Sequence, residues 1–411
     1  MNLKVLGYIL RNLRHERGLT LRQLSKEVGI DHSFLSKIES GVAKIQRHQI
    51  VALFHFYGVD RHHIEDDCST FFPDLKDVLH ANIENQPNKK TVRLCFLKKY
   101  NHLKNTKYLP YLHFVELEAL SYSGQKNARF HYLLGVLTPD LLAQPYCFFL
   151  ALRNLYSNGQ GGNLEKVRLW IPRVNEQMEQ VEEYYRPFGY YYLLSSYTFL
   201  GENLEVTQLY TKATQGLKAQ GNRHFLMLTD IMYGGAMVMS REYRHAIKFY
   251  EELLTKSDYV ITPLSKKSIM FNMAESYLHL NEIPQALDCY KKSYELKPQK
   301  STAFFMAYCL YDQGDMAMAI KVIDQSVFIV SENRLYDALL KWLCKYMGKQ
   351  NTRSYEIIRR LEEIEVKYKS QIDYCLKMVI LKIKADFYHR LKNLEQENIC
   401  LRQMIIALQS K

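Results

Sequence analysis

Two short helical patterns separated by a tight turn lie within residues 18–41, and they restrict the fold of the N-terminus more than any other stretch. Thr20 can cap the first helix, because its hydroxyl accepts a hydrogen bond from a free backbone N–H. The apolar residues that then recur at helical spacing are Leu21, Leu24 and Val28. Gly29 can adopt a left-handed backbone and end this helix. The pattern therefore predicts a first helix with one apolar face.

The second pattern begins at Asp31, which can cap a helix in the same way as Thr20. Its apolar residues are Phe34, Leu35 and Ile38, and the polar residues on its opposite face are His32, Ser33, Ser36 and Lys37. The two patterns together predict a helix-turn-helix. Its second helix would present short polar side chains that can reach base edges in a major groove.

This region resembles the Cro/repressor-like (XRE) family of DNA-binding domains over about residues 5–60. The matching residues are Leu13, Arg14, Gly18, Leu19, Thr20, Leu24, Ser25, Val28, Gly29 and Ile30, then Leu35 to Gly41, Leu53 and Tyr57 to Val59. The resemblance implies base readout by His32, Ser33, Ser36 and Lys37, and phosphate contacts by Arg14, Arg22, Lys44 and Arg47. The sequence departs from the family at Leu21 and His32, where glutamine is common. The alternative is a helical hairpin with no role in DNA binding.

The rest of the head completes a domain predicted to span residues 1–60. Residues 3–17 predict its first helix, and residues 45–58 predict the closing helices of a five-helix head. Residues 61–90 read as a linker that holds one helix, near 74–84. The formal net charge of the chain is +12, which suits a polyanionic partner such as double-stranded DNA.

Composition indicates an all-α protein of the cytoplasm. Strand-like alternation is almost absent, while tyrosine is abundant and glycine and proline are few, at 31, 18 and 10 residues. The 8 cysteines form no C-x-x-C pair, so we expect reduced thiols. No apolar run approaches the roughly 20 residues of a membrane span, and the N-terminus does not read as a signal peptide. We expect no contact with a membrane.

Helical repeats fill residues 91–411. The clearest unit is 267–300, and its key residues are Ala274, Tyr277, Ala286, Tyr290, Ser293 and Pro298. These spacings match the 34-residue tetratricopeptide (TPR) pattern. Further units start near 187, 227 and 300, and weaker helix pairs fit 92–137, 145–185, 334–368 and 371–409. The sequence thus predicts seven to eight hairpins stacked into a TPR-like α-solenoid, a right-handed superhelix.

The first helix of each hairpin would line a concave groove suited to an extended peptide. The candidate peptide-binding residues are Arg153, Asn154, Tyr191, Tyr192, Ser195, Asn272, Glu275, His279, Phe305, Tyr308, Tyr311 and Asp312. Asparagine can donate to and accept from a peptide backbone at once, and arginine can pair with a terminal carboxylate. The alternative is that these aromatic residues only pack between helices.

No phosphate-binding glycine loop, zinc motif or nucleophile elbow occurs in the sequence. We therefore expect no enzyme activity, no cofactor and no metal. An XRE head, a linker and a TPR-like body together resemble the peptide-pheromone-responsive Rgg/NprR/PlcR/PrgX group. That resemblance implies a homodimeric transcriptional regulator of the quorum-sensing type, in which a short signalling peptide bound by the body changes how the two heads bind an operator.

Two other functions remain open at this point. The body could sequester a protein partner such as a response regulator, or the chain could be a plain XRE repressor whose body only dimerises. A gene for a short secreted peptide just downstream would favour the first hypothesis, and a two-component operon would favour sequestration.

Overall fold

A computed structural model describes residues 2–60, 64–65, 67–122, 127–256, 259–330, 334–348, 355–372 and 374–409. All regular secondary structure in these ranges is helical, so the predicted all-α class is confirmed. Beside the α-helices there are four short 3-10 turns at Asn101–Leu103, Pro139–Leu141, Glu183–Tyr185 and Lys369–Gln371.

The head consists of four helices within residues 1–60. They are α1 (Leu3–Glu16), α2 (Leu21–Val28), α3 (His32–Glu39) and α4 (Arg47–Tyr57). The stretch 45–58 thus holds a single helix rather than several. Gly7 allows α1 and α3 to meet closely, because a Cβ atom there would lie 2.3 Å from the carbonyl oxygen of Ile38.

Four helices follow the head. They are α5 (Phe71–Ile83), α6 (Lys89–Lys99), α7 (Leu109–Tyr122) and α8 (Ala128–Val136). Phe71 of α5 is fully buried, and its ring lies 5.3 Å from that of Phe96 and 4.3 Å from that of Tyr108, between centroids. Helix α5 lies within the stretch expected to be a linker, and it packs against α6 and α7. The boundaries of the three predicted domains stay predictions.

Fourteen helices then pair in sequence into seven hairpins. They are α9 (Tyr146–Gln160), α10 (Leu164–Gln180), α11 (Arg186–Leu200), α12 (Asn203–Ala219), α13 (Arg223–Met239), α14 (Tyr243–Thr255), α15 (Pro263–His279), α16 (Ile283–Leu296), α17 (Lys300–Asp312), α18 (Met316–Ser326), α19 (Arg334–Gly348), α20 (Tyr355–Lys367), α21 (Tyr374–Arg390) and α22 (Leu394–Gln409). The repeat units predicted from 145 onward correspond one to one with these hairpins.

Small residues pack against aromatic rings where the helices cross, as the TPR pattern predicts. In the hairpin α15–α16, Ala274, Ala286 and Tyr290 are all fully buried. Gly234 of α13 lies against Tyr250 of α14, and a Cβ atom at Gly234 would come within 2.5 Å of the tyrosine ring. Small side chains therefore let the paired helices approach, and a large ring fills the space beside them.

The chain divides into two compact units. Unit 1 comprises Met1–Ser196 with Lys212–Phe225, and unit 2 comprises Tyr197–Thr211 with Leu226–Lys411. The head and helices α1–α10 thus belong to unit 1, and helices α14–α22 to unit 2.

Candidate functional site

The turn between α2 and α3 is built by local hydrogen bonds. Thr20 and Gln23 form a reciprocal capping box at the start of α2, and Gly29 ends that helix with φ 66°. The carboxylate of Asp31 accepts the backbone N–H of Ser33 at 2.9 Å and that of Phe34 at 3.2 Å. These bonds and the Ser33 hydroxyl lower the pKa of Asp31, so α3 begins with a fixed negative charge that favours its positive N-terminal end.

Helix α3 turns its apolar residues inward and its polar residues outward. Leu35 and Ile38 are buried in the head. The predicted base-reading residues His32, Ser33, Ser36 and Lys37 are all exposed. The helix therefore offers a continuous polar surface that carries one lysine, backed by an apolar core that fixes its orientation.

Three of the four predicted phosphate contacts are also exposed: Arg22, Lys44 and Arg47. Arg14 is buried instead, a position that does not favour the expected phosphate contact. Its guanidinium is buried and holds both carboxylate oxygens of Glu39, at 2.7 Å each. It also donates to the carbonyl oxygen of Leu19 at 2.8 Å. Arg14 is thus a structural residue that ties α1 to α3 and to the loop before α2.

Within unit 1 the head is docked on helices α7 and α8 through α1. The hydroxyl of Tyr8 and Nδ1 of His113 lie 2.7 Å apart, and both residues are buried. Arg129 donates to Nε2 of His113 at 3.1 Å and forms a bidentate pair with Glu116. Because arginine can only donate, Nε2 is the acceptor, and the imidazole donates to Tyr8 through Nδ1–H.

Two further contacts complete this docking face. Lys4 forms an ion pair with Asp140 of the turn Pro139–Leu141, and the rings of His15 and Tyr132 meet edge to face at 5.6 Å. Helix α3 makes none of these contacts, and its polar residues are exposed while the head is docked.

The predicted groove residues of unit 1 form no open site. Arg153 is buried in a bidentate pair with Glu118, at 2.7 and 2.8 Å, so it is not available to a terminal carboxylate. Asn154 is buried and donates to the carbonyl oxygen of Leu150. Ser195 and Tyr191 are also buried, and only Tyr192 is half-exposed. For Arg153, Asn154 and Ser195 the structure does not favour the expected ligand role, because each side chain is buried within its own unit.

In unit 2 the predicted groove residues divide into two groups. Phe305 is fully buried and stacks on Tyr290 at 5.5 Å between ring centroids, which does not favour its expected ligand role. The amide nitrogen of Asn272 donates to the hydroxyl of Tyr250 at 2.6 Å, which occupies that nitrogen. Glu275, on the same helix, is half-buried.

The remaining residues border two cavities in unit 2. His279 lies between the rings of Tyr243 and Tyr374, with centroids 4.7 and 5.3 Å away, and burial lowers its pKa to about 4. It lines a cavity of about 190 Å³ between α15, α17 and α21. A second cavity of about 440 Å³ is lined by Tyr311 and Asp312 of α17 and by α21. Tyr308, although almost fully buried, borders both.

Helix α21 supplies charged residues that the sequence analysis missed. Lys382 borders both cavities and donates to Asn281 at 3.1 Å, and its ammonium lies 3.3 Å from Asp312. Asp386 accepts from the hydroxyl of Tyr311 at 2.8 Å, and Arg390 pairs with Asp386 at 2.9 Å. The spacing of four residues between these side chains was visible in the sequence and places all three on one helix face.

In the described part of the chain, no three side chains of histidine, cysteine, aspartate or glutamate form a cluster that could hold a metal ion. Within the same residues, no helix combines the length and apolarity needed to cross a bilayer.

Comparison with known proteins supports the division into head and body. Residues 5–66 match the family model described as a helix-turn-helix domain. No curated protein matches this chain.

Several solved structures are similar in fold. A Rap protein complexed with competence and sporulation factor shares 9% identity at a TM-score of 0.69, covering 82% of this chain and 97% of that chain. NprR in complex with its cognate peptide NprX shares 16% at 0.59, covering 84% and 100%. The apo form of the quorum sensor NprR from B. thuringiensis shares 18% at 0.59, covering 82% and 98%. At these identities the likeness shows a shared fold: the chain carries a helix-turn-helix domain and a body folded like Rap and NprR.

The buried Arg14–Glu39 ion pair gives a prediction about stability, with a matched control variant. We expect R14A to lower the free energy of unfolding of the head by about 3 kcal/mol, because it leaves the Glu39 carboxylate buried and unpaired. R22A removes an exposed arginine of α2 and is expected to change stability by less than about 0.5 kcal/mol. Chemical denaturation followed by circular dichroism measures both, and equal stability of the two variants would contradict the structural role of Arg14.

The docking histidine gives a pH prediction. Burial and the neighbouring Arg129 lower the pKa of His113 to about 4, against about 6.5 in an unfolded chain. Its charged neighbours are Arg129 and Glu116. As the pH falls through this window the unfolded chain binds a proton that the folded chain excludes, so stability should fall by up to about 1.4 kcal/mol per pH unit. Above pH 6.5 this contribution is fully present.

The variant H113Q should show a weaker loss of stability between pH 6.5 and 4.5 than the wild type. H131Q replaces an exposed histidine of α8 and should keep the wild-type slope. Thermal denaturation across this pH range measures the difference, and identical slopes for the wild type and H113Q would exclude His113 as the source.

Proposed function

We propose that this protein is a cytoplasmic, homodimeric transcriptional regulator whose head binds double-stranded DNA and whose body binds a short signalling peptide. The observation that carries the proposal is the exposed polar face of α3 in a helix-turn-helix head. His32, Ser33, Ser36 and Lys37 are all exposed on this face. The proposal assigns the chain no catalytic step.

Charge supports DNA as the partner of this face. Lys37 lies on the recognition face, and the basic residues Arg22, Lys44 and Arg47 are exposed on the same head. Lysine and arginine contacts to phosphates position a protein on the duplex, and side chains of the recognition helix read base edges. In a homodimer the two heads would read half-sites about one helical turn apart.

The cavities of unit 2 support a peptide as the signal. His279, Tyr311 and Asp312 of the predicted groove border them, together with Lys382 and Asn281. The lysine ammonium suits a peptide carboxylate or carbonyl, and the asparagine amide suits a peptide backbone. NprR, which has a similar fold, was crystallised with its cognate peptide. A peptide that favours one arrangement of the dimer would change operator affinity.

The function is tested first by a gel shift on the DNA just upstream of the chain's own gene, with and without synthetic peptides from neighbouring small open reading frames. A shift that changes with one peptide supports the whole proposal. A shift that is indifferent to every peptide leaves a plain repressor, and no shift on any upstream DNA contradicts the assignment of the head.

The recognition face gives a specific prediction. K37A should weaken operator binding by about 1–3 kcal/mol, which is roughly 5- to 150-fold in Kd, because it removes a contact to a base edge or phosphate. K76A makes the same charge change on the exposed side of α5 and should bind like the wild type. Fluorescence anisotropy with a labelled operator measures both, and equal Kd values would remove Lys37 from the interface.

The two cavities of unit 2, both bordered by Lys382, give a second prediction. K382A should raise the peptide concentration needed for half-maximal response by about 10-fold or more, because a hydrogen bond to a charged group contributes about 1.5–3 kcal/mol. K377A removes an exposed lysine from the same helix and should respond normally. Both variants should bind the operator like the wild type when peptide is absent. A normal response in K382A would place the peptide elsewhere.

A further inference from the structure

A larger cavity lies in unit 1, beside the docked head. It measures about 730 Å³, is open to solvent on one side and is bordered by α8, the turn Pro139–Leu141, α9 and α10. This is within the size range of pockets for small ligands. The apolar part of its lining includes Leu134, Leu137, Leu142 and Trp170, and the polar part includes Asp140, Gln144, Arg173, Glu176, Gln177 and Gln180.

One polar atom inside the lining lacks a partner. The amide nitrogen of Gln144 donates to Oε1 of Gln177 at 2.8 Å, and the thiol of Cys147 donates to the same oxygen at 3.1 Å. The amide oxygen of Gln144 is buried and accepts no hydrogen bond from the residues described here. A buried acceptor without a donor is costly, so this oxygen would gain from a ligand N–H group only if the surrounding side chains moved to admit it.

The charges of the lining indicate a cationic group on the ligand. The lining contains two carboxylates, those of Asp140 and Glu176, and one guanidinium, that of Arg173. Glu176 and Arg173 are also exposed to solvent. The guanidinium lies over the ring of Trp170 at 4.9 Å, between its carbon and the ring centroid. Carboxylates beside an aromatic ring and leucines suit an ammonium next to an apolar group.

Asp140 connects this cavity to the head. Its carboxylate lines the cavity and also forms the ion pair with Lys4 of α1, and both side chains are about half-exposed. Helix α1 packs on the same turn, Pro139–Leu141. An ammonium that enters the cavity and pairs with Asp140 would lie close to the ammonium of Lys4, and the two like charges on one carboxylate repel each other.

We propose that the unit 1 cavity binds an α-ammonium compound with an apolar side chain, and that its ammonium competes with Lys4 for Asp140 and so weakens the docking of the head. Free amino acids and the N-termini of short peptides share this chemistry. The proposal does not depend on whether the cavities of unit 2 bind a peptide.

The full-length protein offers a direct reporter. Its only tryptophans are Trp170 and Trp342, so W342F leaves Trp170 at the cavity as the sole source of tryptophan fluorescence. The probes are free leucine, the tripeptide Leu-Gly-Gly, and N-acetyl-Leu-Gly-Gly, which lacks the ammonium. Isothermal titration calorimetry on the wild type repeats the measurement without the W342F substitution.

We expect a saturable change in Trp170 emission with leucine, with the tripeptide, or with both, and none with the acetylated peptide. A response to leucine alone identifies an amino acid as the ligand class, and a response to the tripeptide alone identifies a peptide N-terminus. D140N should raise Kd by about 10-fold, the loss of one charge-assisted contact. Equal binding of the acetylated peptide would overturn the proposal. So would the absence of a saturable signal by either method up to about 10 mM, since a weaker affinity than this would fall outside most specific binding.

The competition has its own test. K4A removes the rival cation and should lower the Kd of the responding probe about 3-fold or more, since the linkage between two ligands of one group is reciprocal. K26A makes the same charge change on the exposed side of α2 and should leave this Kd unchanged. Equal Kd values for K4A and K26A would overturn the link between the cavity and the head.

Discussion

A chain of largely buried polar contacts fixes the orientation of helix α3 within unit 1. Arg129 donates to His113, and His113 donates to Tyr8 of α1. The same helix carries Arg14, which holds both carboxylate oxygens of Glu39 at the end of α3. Most side chains in this series of hydrogen bonds are buried, and a buried polar group that loses its partner is costly. The head is therefore packed into unit 1 and is not a separate domain on a flexible linker.

Local interactions were predictable from the sequence, and distant pairings were not. Thr20, Gly29 and Asp31 act on their own turns, so the residue types and spacing alone identified the helix-turn-helix. The family resemblance assigns Arg14 a phosphate contact, and Arg153 is assigned to the peptide groove because arginine can pair with a terminal carboxylate. Their partners lie 25 and 35 positions away. Only the tertiary fold brings those carboxylates close enough to bury both charges.

The repeats explain why the hairpins were predicted well and the ligand site less well. Small residues such as Ala274 and Ala286 mark helix crossings, and they identify a hairpin without reference to its neighbours. A TPR-like groove, however, depends on which faces meet between hairpins. Phe305 packs on Tyr290 instead of lining a groove, and the charged face of α21 that includes Lys382 contributes to the cavities. That hairpin has a weak repeat pattern, so its register could not be assigned in advance.

A ligand changes DNA binding only if it binds two states of the protein with different affinity. The proposed site in the unit 1 cavity would meet this requirement through the Asp140 carboxylate, because the ammonium of Lys4 and a ligand ammonium repel each other when both pair with it. By linkage, the factor by which docking weakens the ligand is the factor by which the ligand weakens docking. A half-exposed ion pair contributes about 0–1 kcal/mol, which limits this factor to about 5-fold. Such a site would tune the orientation of the head, while a larger switch requires the peptide.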